Sequence, residues 1–199
     1  MHGNKLRKRA GWLLTALVFS AVFAYCLWRC WLNGAFLPRW IRWETCRLQD
    51  QWDGCEVLLS RRQVTVVREG FSLWTSPKDI QVQDILIFDA DNDGEDEMLL
   101  LCWKIGRYGP HRPFWVEKDE QKWSQHIFVY EYSQDQISPK WMSSYIGSDV
   151  WAMSSNGRPA PYVRLVLTDP QGKETCWRWN SWGFTKESIT PPQAAGHGN

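Results

Sequence analysis

Most of the chain consists of short apolar runs separated by polar turns. Eight runs rich in Val, Ile, Leu, Phe, Tyr and Trp lie between Gly, Pro, Asp or Asn residues, and several alternate apolar and polar positions. This pattern predicts β-strands. The predicted strands cover residues 56–60, 63–70, 71–77, 82–90, 97–104, 126–133, 163–169 and 175–184. Because no window among them keeps the 3.6-residue period of a helix, we predict a mostly β domain over residues 56–186.

The exception is a continuous apolar segment near the start, residues 11–32, whose only charge is Arg29. As a helix, these 22 residues span about 33 Å, which exceeds the roughly 30 Å of a bilayer's hydrocarbon core. Residues 1–10 carry four basic groups and no acidic one, a bias typical of the cytoplasmic side. We therefore predict a cytoplasmic tip at 1–10, a single-pass signal anchor at 11–32 and an extracytoplasmic remainder. A cleaved signal peptide is the alternative, although its apolar region usually has about 7–15 residues.

The segments on either side of the predicted β domain have no regular pattern. Residues 33–55 mix Trp with charged residues and hold no clean period, so we predict a juxtamembrane neck. Residues 187–199 are polar and include "TPPQAAGHGN", whose Pro and Gly content predicts a disordered tail.

A weak internal repeat runs through the β domain. "LWTSP" at 73–77 is echoed by "KWMSS" at 140–144, and each is followed by a strand that ends in an aspartate, Asp89 or Asp169. A polar turn and a Cys-Trp pair then follow each aspartate. The repeat predicts that the domain contains two related sheets.

The net charge changes sign when the predicted anchor is set aside. Residues 1–33 hold five basic groups and no acid, so residues 34–199 hold 18 basic and 22 acidic groups, a net charge of −4. An acidic domain is a poor match for nucleic acid, which attracts basic surfaces. We therefore predict no nucleic-acid partner.

Four cysteines lie beyond the anchor, where an extracytoplasmic domain could form disulfides. They are Cys46, Cys55, Cys102 and Cys176, which allow three pairings. The short interval between Cys46 and Cys55 makes that pair our first prediction, and free buried thiols are the alternative.

The most unusual stretch is "DADNDGEDE", residues 89–97, which puts six carboxylates into nine residues between two apolar runs. Like charges this close repel one another, so the pattern predicts a bound cation. Carboxylates alternate from Asp89 to Asp93, and Gly94 permits the chain to reverse. Such oxygen donors suit Ca²⁺, which takes six to eight oxygen ligands. An EF-hand begins in the same way but needs an acid where this chain has Leu100, so an EF-hand is excluded.

An acid at the ninth position of the loop, between two strands, fits another class of calcium loop. "DADNDGEDEMLLL" resembles the D-x-D-x-D-G-x-x-[DE]-L calcium loop of FG-GAP and VCBS-type repeats, which occur in integrin-like β-propeller blades. The resemblance covers residues 64–146 well and 160–184 loosely. It implies about two propeller-blade-like antiparallel sheets and a calcium ion that joins two strands without catalysing a reaction. The ligands it implies are the side chains of Asp89, Asp91, Asp93 and Glu97 and the backbone carbonyl of Glu95. An acidic hairpin without a metal is the alternative.

A second candidate site lies in the insertion at residues 103–123. Basic and aromatic side chains alternate there within an otherwise acidic domain, a composition typical of loops that bind acidic glycans or envelope polymers. The predicted ligand-binding residues are Arg107, Tyr108, His111, Arg112 and Trp115. The segment could equally pack against the acidic residues 89–97 or against another chain.

Twelve of the fifteen tryptophans lie beyond the anchor. Tryptophan faces stack on sugar rings, but large aromatic side chains also fill a small β core, and we favour core packing. In "WRWNSWGF", Trp177 and Trp179 should share one strand face, with Arg178 on the other.

Known catalytic motifs such as G-x-S-x-G, H-E-x-x-H and C-x-x-C do not occur in the sequence. We therefore predict a non-enzymatic, membrane-anchored domain that acts in cell-surface binding or adhesion, or in envelope assembly. Its expected partners are the membrane and a cell-surface glycan or envelope protein. The alternative is an enzyme, or its accessory subunit, that acts on envelope polysaccharide.

Overall fold

A computed structural model describes residues 2–106, 121–143 and 145–187, with side chains from residue 12 onward except that of Gln51. The chain forms two compact units, Met1–Arg39 and Trp40–Asn199. From residue 188 onward, the predicted tail lies outside the described residues.

The first unit contains one long helix, α1, from His2 to Leu32. Its segment Trp12–Leu32 has 21 residues, a mean hydropathy of 1.7 and no buried part, so it is long and apolar enough to cross a membrane. Large side chains such as Phe19, 72% exposed, surround this part of the helix. The apolar helix that we predicted from the sequence is therefore present, as is the mostly β character of the rest.

The second unit contains twelve strands, which form three four-stranded antiparallel sheets among the described residues. In each sheet, strands that follow one another along the chain are neighbours. Sheet 1 contains β1 (Cys46–Trp52), β2 (Cys55–Ser60), β3 (Gln63–Arg68) and β4 (Phe71–Thr75). Sheet 2 contains β5 (Ile80–Phe88), β6 (Glu97–Ile105), β7 (Trp123–Ser133) and β8 (Gln136–Met142). Sheet 3 contains β9 (Ala152–Ser155), β10 (Leu165–Thr168), β11 (Glu174–Asn180) and β12 (Gly183–Lys186).

Sheet 2 lies between the other two sheets and is buried on both faces. Successive side chains of β6 point to opposite faces, so Leu100 packs with residues of sheet 1 and Leu101 with residues of sheet 3. Both side chains have no exposed surface, and burying each contributes about 1.5–3 kcal/mol. A strand buried on both faces can be apolar at every position, which explains why "MLLLCW" does not alternate.

The prediction of about two sheets was wrong, because the described residues form three. Strand β1 lies within residues 33–55, where we predicted a neck, and it pairs with β2 at the edge of sheet 1. Strands β9 and β12 have only four residues each. Short strands and edge strands bury few side chains, so their sequences carry little of the alternation from which strands are predicted.

The internal repeat corresponds only partly to the sheets. Residues 73–77 and 140–144 each include the end of a sheet's last strand, since β4 ends at Thr75 and β8 at Met142. The aspartates are not equivalent, because Asp89 follows the first strand of sheet 2 whereas Asp169 follows the second strand of sheet 3.

The predicted disulfide between Cys46 and Cys55 is also wrong, since both residues are free thiols. Cys46 lies opposite Leu59 in the β1–β2 hairpin, and Cys55 lies opposite Trp52. Leu59 is four residues along β2 from Cys55, which separates the two cysteines by about 13 Å. A disulfide needs Cα atoms closer than about 7 Å. The free-thiol alternative therefore holds for this pair.

Two buried glutamines fix the segment that leads from sheet 2 to sheet 3. The Gln125 side chain on β7 accepts the Val150 N–H at 2.7 Å and donates to the Val150 carbonyl, also at 2.7 Å. The Gln83 amide on β5 donates to the Trp151 carbonyl at 2.9 Å, and its oxygen accepts the Gln125 amide at 2.8 Å. Trp103 Nε1–H donates to the same oxygen. Backbone groups that would otherwise be buried without partners are thereby satisfied.

Aromatic side chains join sheet 2 to sheet 3. The ring of Trp141 meets those of Trp179 and Phe184 edge to face, with both pairs of ring centroids 5.8 Å apart. Gly183 lies beneath the Trp141 ring, and a Cβ atom added there would be 2.3 Å from Trp141 Cε2. As predicted, Trp177 and Trp179 share the face that packs on sheet 2, while Arg178 is exposed.

Replacing Gly183 with alanine should therefore lower the free energy of unfolding by about 3 kcal/mol. About 1–2 kcal/mol comes from its φ of +120°, which L residues avoid, and the rest from overpacking against Trp141. Gly172→Ala is the matched control, because its φ is +83° but nothing lies within 4 Å of its added Cβ. Urea unfolding of the full chain measures both variants. Equal losses in the two would contradict the close contact with Trp141.

Candidate metal centre

The acidic loop, residues 89–97, joins β5 to β6 at one end of sheet 2. Its backbone N–H groups donate to its own carboxylates: Asp89 accepts those of Asp93 and Gly94, both at 3.1 Å. Asp91 accepts the Asp93 N–H at 3.2 Å. Gly94 has a φ of +95°, so the chain reverses at the residue where the sequence predicted it.

Three carboxylates of the loop converge. One oxygen from each of Asp89, Asp91 and Glu97 lies within 4.8 Å of the others. Glu97 is only 1% exposed, and its Oε2 accepts the Ala90 N–H at 2.9 Å. Two like charges at this separation repel by roughly 3–4 kcal/mol at the effective dielectric constant near a protein surface. The arrangement therefore requires a positive charge close by.

The chain itself supplies one such charge, the ammonium of Lys140 on β8. Its Nζ lies 2.6 Å from Asp91 Oδ2, 2.6 Å from Glu97 Oε1 and 3.3 Å from Asp93 Oδ2. The Lys140 side chain is only 19% exposed. The ammonium thus joins the acidic loop to the opposite edge strand of sheet 2.

A β-bulge directs Lys140 toward the loop. In the β7–β8 pairing, Trp141 lies opposite Val129 and Pro139 lies opposite Tyr130, so Lys140 is the unpaired extra residue. Bulges change the direction of a side chain, and proline within a sheet is confined to edges and bulges. The sequence reasoning missed Lys140, although a proline inside a strand pattern is a signal for such a site.

The ionisation of these groups follows from burial and from their mutual contacts. Burial raises the pKa of Glu97, and the hydrogen bond from Lys140 offsets part of that rise. Burial opposes the charged form of Lys140, but its hydrogen bonds to Asp91 and Glu97 outweigh burial and raise its pKa. The Glu95 N–H lowers the pKa of Asp93, and so does Lys140. At neutral pH the Lys140 ammonium is therefore fully charged.

One of the four predicted side-chain ligands lies outside the converging group. Asp93 is exposed, and its Oδ1 accepts the Glu95 N–H at 2.9 Å. The predicted ligand atom of Glu95 is its backbone carbonyl, and that assignment stays a prediction. The tertiary structure therefore brings together Asp89, Asp91 and Glu97 and leaves Asp93 at their edge.

One residue of sheet 1 supports the loop. Trp52, at the end of β1, is 2% exposed, and its Nε1–H donates to the Asp96 carbonyl at 2.7 Å. This contact fixes the loop against sheet 1 while the Asp96 side chain faces solvent. Asn92 Oδ1 is buried in the loop without a hydrogen-bond partner. No pattern in the sequence connects Trp52 with the loop, since 44 residues separate it from Asp96.

The second predicted site lies outside the described residues. These residues are Arg107, Tyr108, His111, Arg112 and Trp115. Their assignment to ligand binding stays a prediction.

One pair of side chains has the elements of a nucleophile and a base. Ser124 Oγ lies 2.9 Å from His126 Nε2, and His126 Nδ1 lies 3.1 Å from the Ser143 carbonyl. Ser124 is only 3% exposed and His126 5%. Both side chains lie inside the sheet stack, so we interpret the pair as structural.

Comparison with protein-family models, with curated proteins and with solved structures finds no match to this chain.

Proposed function

We propose that the chain is a membrane-anchored, extracytoplasmic β domain that binds a calcium ion at its acidic loop. We further propose that it acts in binding or adhesion at the cell surface, or in envelope assembly. The observation that carries the proposal is the convergence of Asp89, Asp91 and Glu97 at one hairpin. The apolar segment Trp12–Leu32 supports the anchor, and the basic residues before it favour a cytoplasmic N-terminus.

The converging carboxylates fit calcium. Two oxygens bound to one calcium ion at about 2.3–2.6 Å are no more than about 5 Å apart, and these three lie within 4.8 Å of one another. The unpartnered oxygen of Asn92 adds a polar group within the same loop. When bound, calcium would neutralise charge and link the end of β5 to the start of β6, a structural role that activates no water.

The Lys140 ammonium does not fully neutralise the three carboxylates, so a calcium ion could still bind. Three carboxylates and one ammonium sum to a net charge of −2, which a divalent cation would neutralise. The contacts of Lys140 also favour a second candidate, in which the ammonium is the only cation and the loop binds no metal. Metal titration separates the two.

The arrangement of the strands supports a relation to propeller blades. Each sheet is a four-stranded meander in chain order, and the acidic loop connects the first two strands of sheet 2. We propose that the three sheets are blade-like units of one domain.

The test is a calcium titration of the full chain in phosphatidylcholine nanodiscs after treatment with chelator. Calcium at about 100 times its Kd should stabilise the fold by about 2.7 kcal/mol, which raises the melting temperature by roughly 5–10 °C. Magnesium should have a smaller effect, because it requires a stricter octahedral geometry. Replacing Asp89 and Asp91 with asparagine should abolish the calcium shift while retaining hydrogen-bond acceptors. Glu69→Gln changes an exposed carboxylate outside the loop and should keep the calcium shift in melting temperature.

The absence of a shift in the unmodified chain would contradict calcium binding and favour the metal-free loop. A shift that survives in the double variant would place the calcium elsewhere in the chain.

A further inference from the structure

An open cleft lies between sheet 2 and sheet 3. It consists of two adjoining cavities of about 260 and 170 Å³, which share Leu167 and Trp177 as walls. Each is smaller than the roughly 300–1,000 Å³ of enclosed small-molecule pockets. The acidic loop contributes no residue to either cavity.

One half of the cleft is aromatic. The larger cavity is bounded by Trp141, Tyr145, Trp177 and Phe184. Both tryptophans line the cavity and are only partly buried, and Tyr145 is 45% exposed. The cleft thus offers several aromatic rings to a ligand.

The aromatic walls are held in place. Trp177 Nε1–H donates to Thr175 Oγ1 at 2.9 Å, and that hydroxyl donates to the Leu167 carbonyl at 3.3 Å. Trp141 is held by its edge-to-face contact with Phe184. Its ring also packs closely on Gly183, which has no side chain. A ligand would therefore meet preorganised surfaces, which reduces the entropy lost on binding.

The other half of the cleft is polar and balanced in charge. The smaller cavity is bounded by two carboxylates and two ammonium groups, Asp149, Asp169, Lys173 and Lys186. Asp169 Oδ1 accepts the N–H groups of Gln171 and Lys173, both at 2.9 Å, which fixes the carboxylate in its turn. Asp149, Lys173 and Lys186 are exposed. This half provides both donors and acceptors without a net charge.

We propose that this cleft binds a neutral carbohydrate. The apolar face of a sugar ring would lie against Trp141 and Trp177, and its hydroxyl groups would exchange hydrogen bonds with Asp149, Asp169, Lys173 and Lys186. The inference deepens the proposed binding function and rests on it.

The chemistry of the two halves selects this ligand class. An acyl chain or an apolar peptide would fill the aromatic half and leave the charged half without partners. An anionic polymer would find two carboxylates beside the two ammonium groups. A neutral sugar has one apolar face and a rim of hydroxyl groups, each of which donates and accepts, and so matches both halves.

The test is calorimetric titration of the full chain in phosphatidylcholine nanodiscs with cellohexaose and chitohexaose, two neutral hexasaccharides. Nanodiscs avoid detergents that carry a sugar headgroup. We expect at least one hexasaccharide to bind. Trp177→Ala should weaken that binding at least tenfold, and Trp182→Ala, at an 89% exposed tryptophan outside the cleft, should leave it unchanged.

A second variant covers the case in which Trp177→Ala fails to fold. Lys173→Met changes an exposed side chain at the polar half, should keep the unfolding midpoint and should weaken binding at least threefold. The inference is overturned if neither hexasaccharide binds, or if binding is unchanged in both Trp177→Ala and Lys173→Met. Stronger binding of polygalacturonate or of an apolar peptide would also overturn it.

The calcium titration distinguishes this inference from the proposed calcium site. A normal calcium shift without hexasaccharide binding would overturn the carbohydrate cleft alone. A hexasaccharide that binds to a chain without any calcium shift would overturn the calcium site and leave the cleft in place.

Discussion

Replacing Lys140 with methionine should lower the free energy of unfolding by about 3 kcal/mol in the presence of chelator. The variant keeps most of the side chain's volume but leaves Asp91 and Glu97 without the ammonium that lies 2.6 Å from each. Removing one partner of a buried ion pair typically costs about 3–5 kcal/mol, and the partial exposure of Lys140 favours the lower end. For a domain of this size the melting temperature should fall by roughly 10 °C.

The matched control is Lys78→Met, which removes the same charge from an exposed side chain. It should change the stability by less than about 0.5 kcal/mol. A similar loss in both variants, or no loss in either, would contradict the role of Lys140 as the cation of the loop.

Calcium should raise the free energy of unfolding of Lys140→Met by more than that of the unmodified chain. The proposed ion would neutralise the same carboxylates as the ammonium, so the chain without the ammonium would gain more from the ion. Equal gains at saturating calcium would mean that the ion binds apart from Lys140.

Replacing Gln125 with leucine should also destabilise the domain by about 3 kcal/mol. The side chain makes two hydrogen bonds with the backbone of Val150 and one with Gln83. Leucine has a similar size but cannot pair with these groups, and each buried polar group left unsatisfied costs about 1–3 kcal/mol. Val150 itself is only 2% exposed, so water cannot replace the lost partner without opening the junction between sheets 2 and 3.

The measurement is the urea midpoint of the full chain in nanodiscs, with unfolding monitored by circular dichroism. Gln136→Leu, at an exposed position of β8, should shift the midpoint little. A loss below about 1 kcal/mol for Gln125→Leu would show that the glutamine pair is not needed to hold the junction.

The acidic loop could be predicted largely from the sequence because its interactions are local. Asp89, Asp91 and Gly94 lie close together along the chain, and the loop's internal hydrogen bonds span at most seven residues. The cation that approaches these carboxylates in the fold comes from Lys140, 43 residues beyond Glu97. No local pattern could have paired the two, because their contact depends on the bulge in β8 and on the order of the strands.

The cleft between sheets 2 and 3 depends even more on the tertiary structure. Trp141 and Trp177 come from different sheets, and the polar half combines the segment before β9 with the turn after β10 and the end of β12. The sequence showed only that tryptophan is abundant. Which tryptophans are buried and which face a cavity was decided when sheet 3 packed on sheet 2.

By itself, then, the sequence determined the apolar helix, the mostly β character and the reversal at Gly94. These features follow from hydrophobic period and backbone preference within windows of about ten residues. The tertiary structure decided that the described part of the chain forms three sheets, that Cys46 and Cys55 lie apart, and that Lys140 faces the acidic loop. Those outcomes depend on strand register and sheet packing, which join residues far apart in the chain and therefore leave no periodic signal in it.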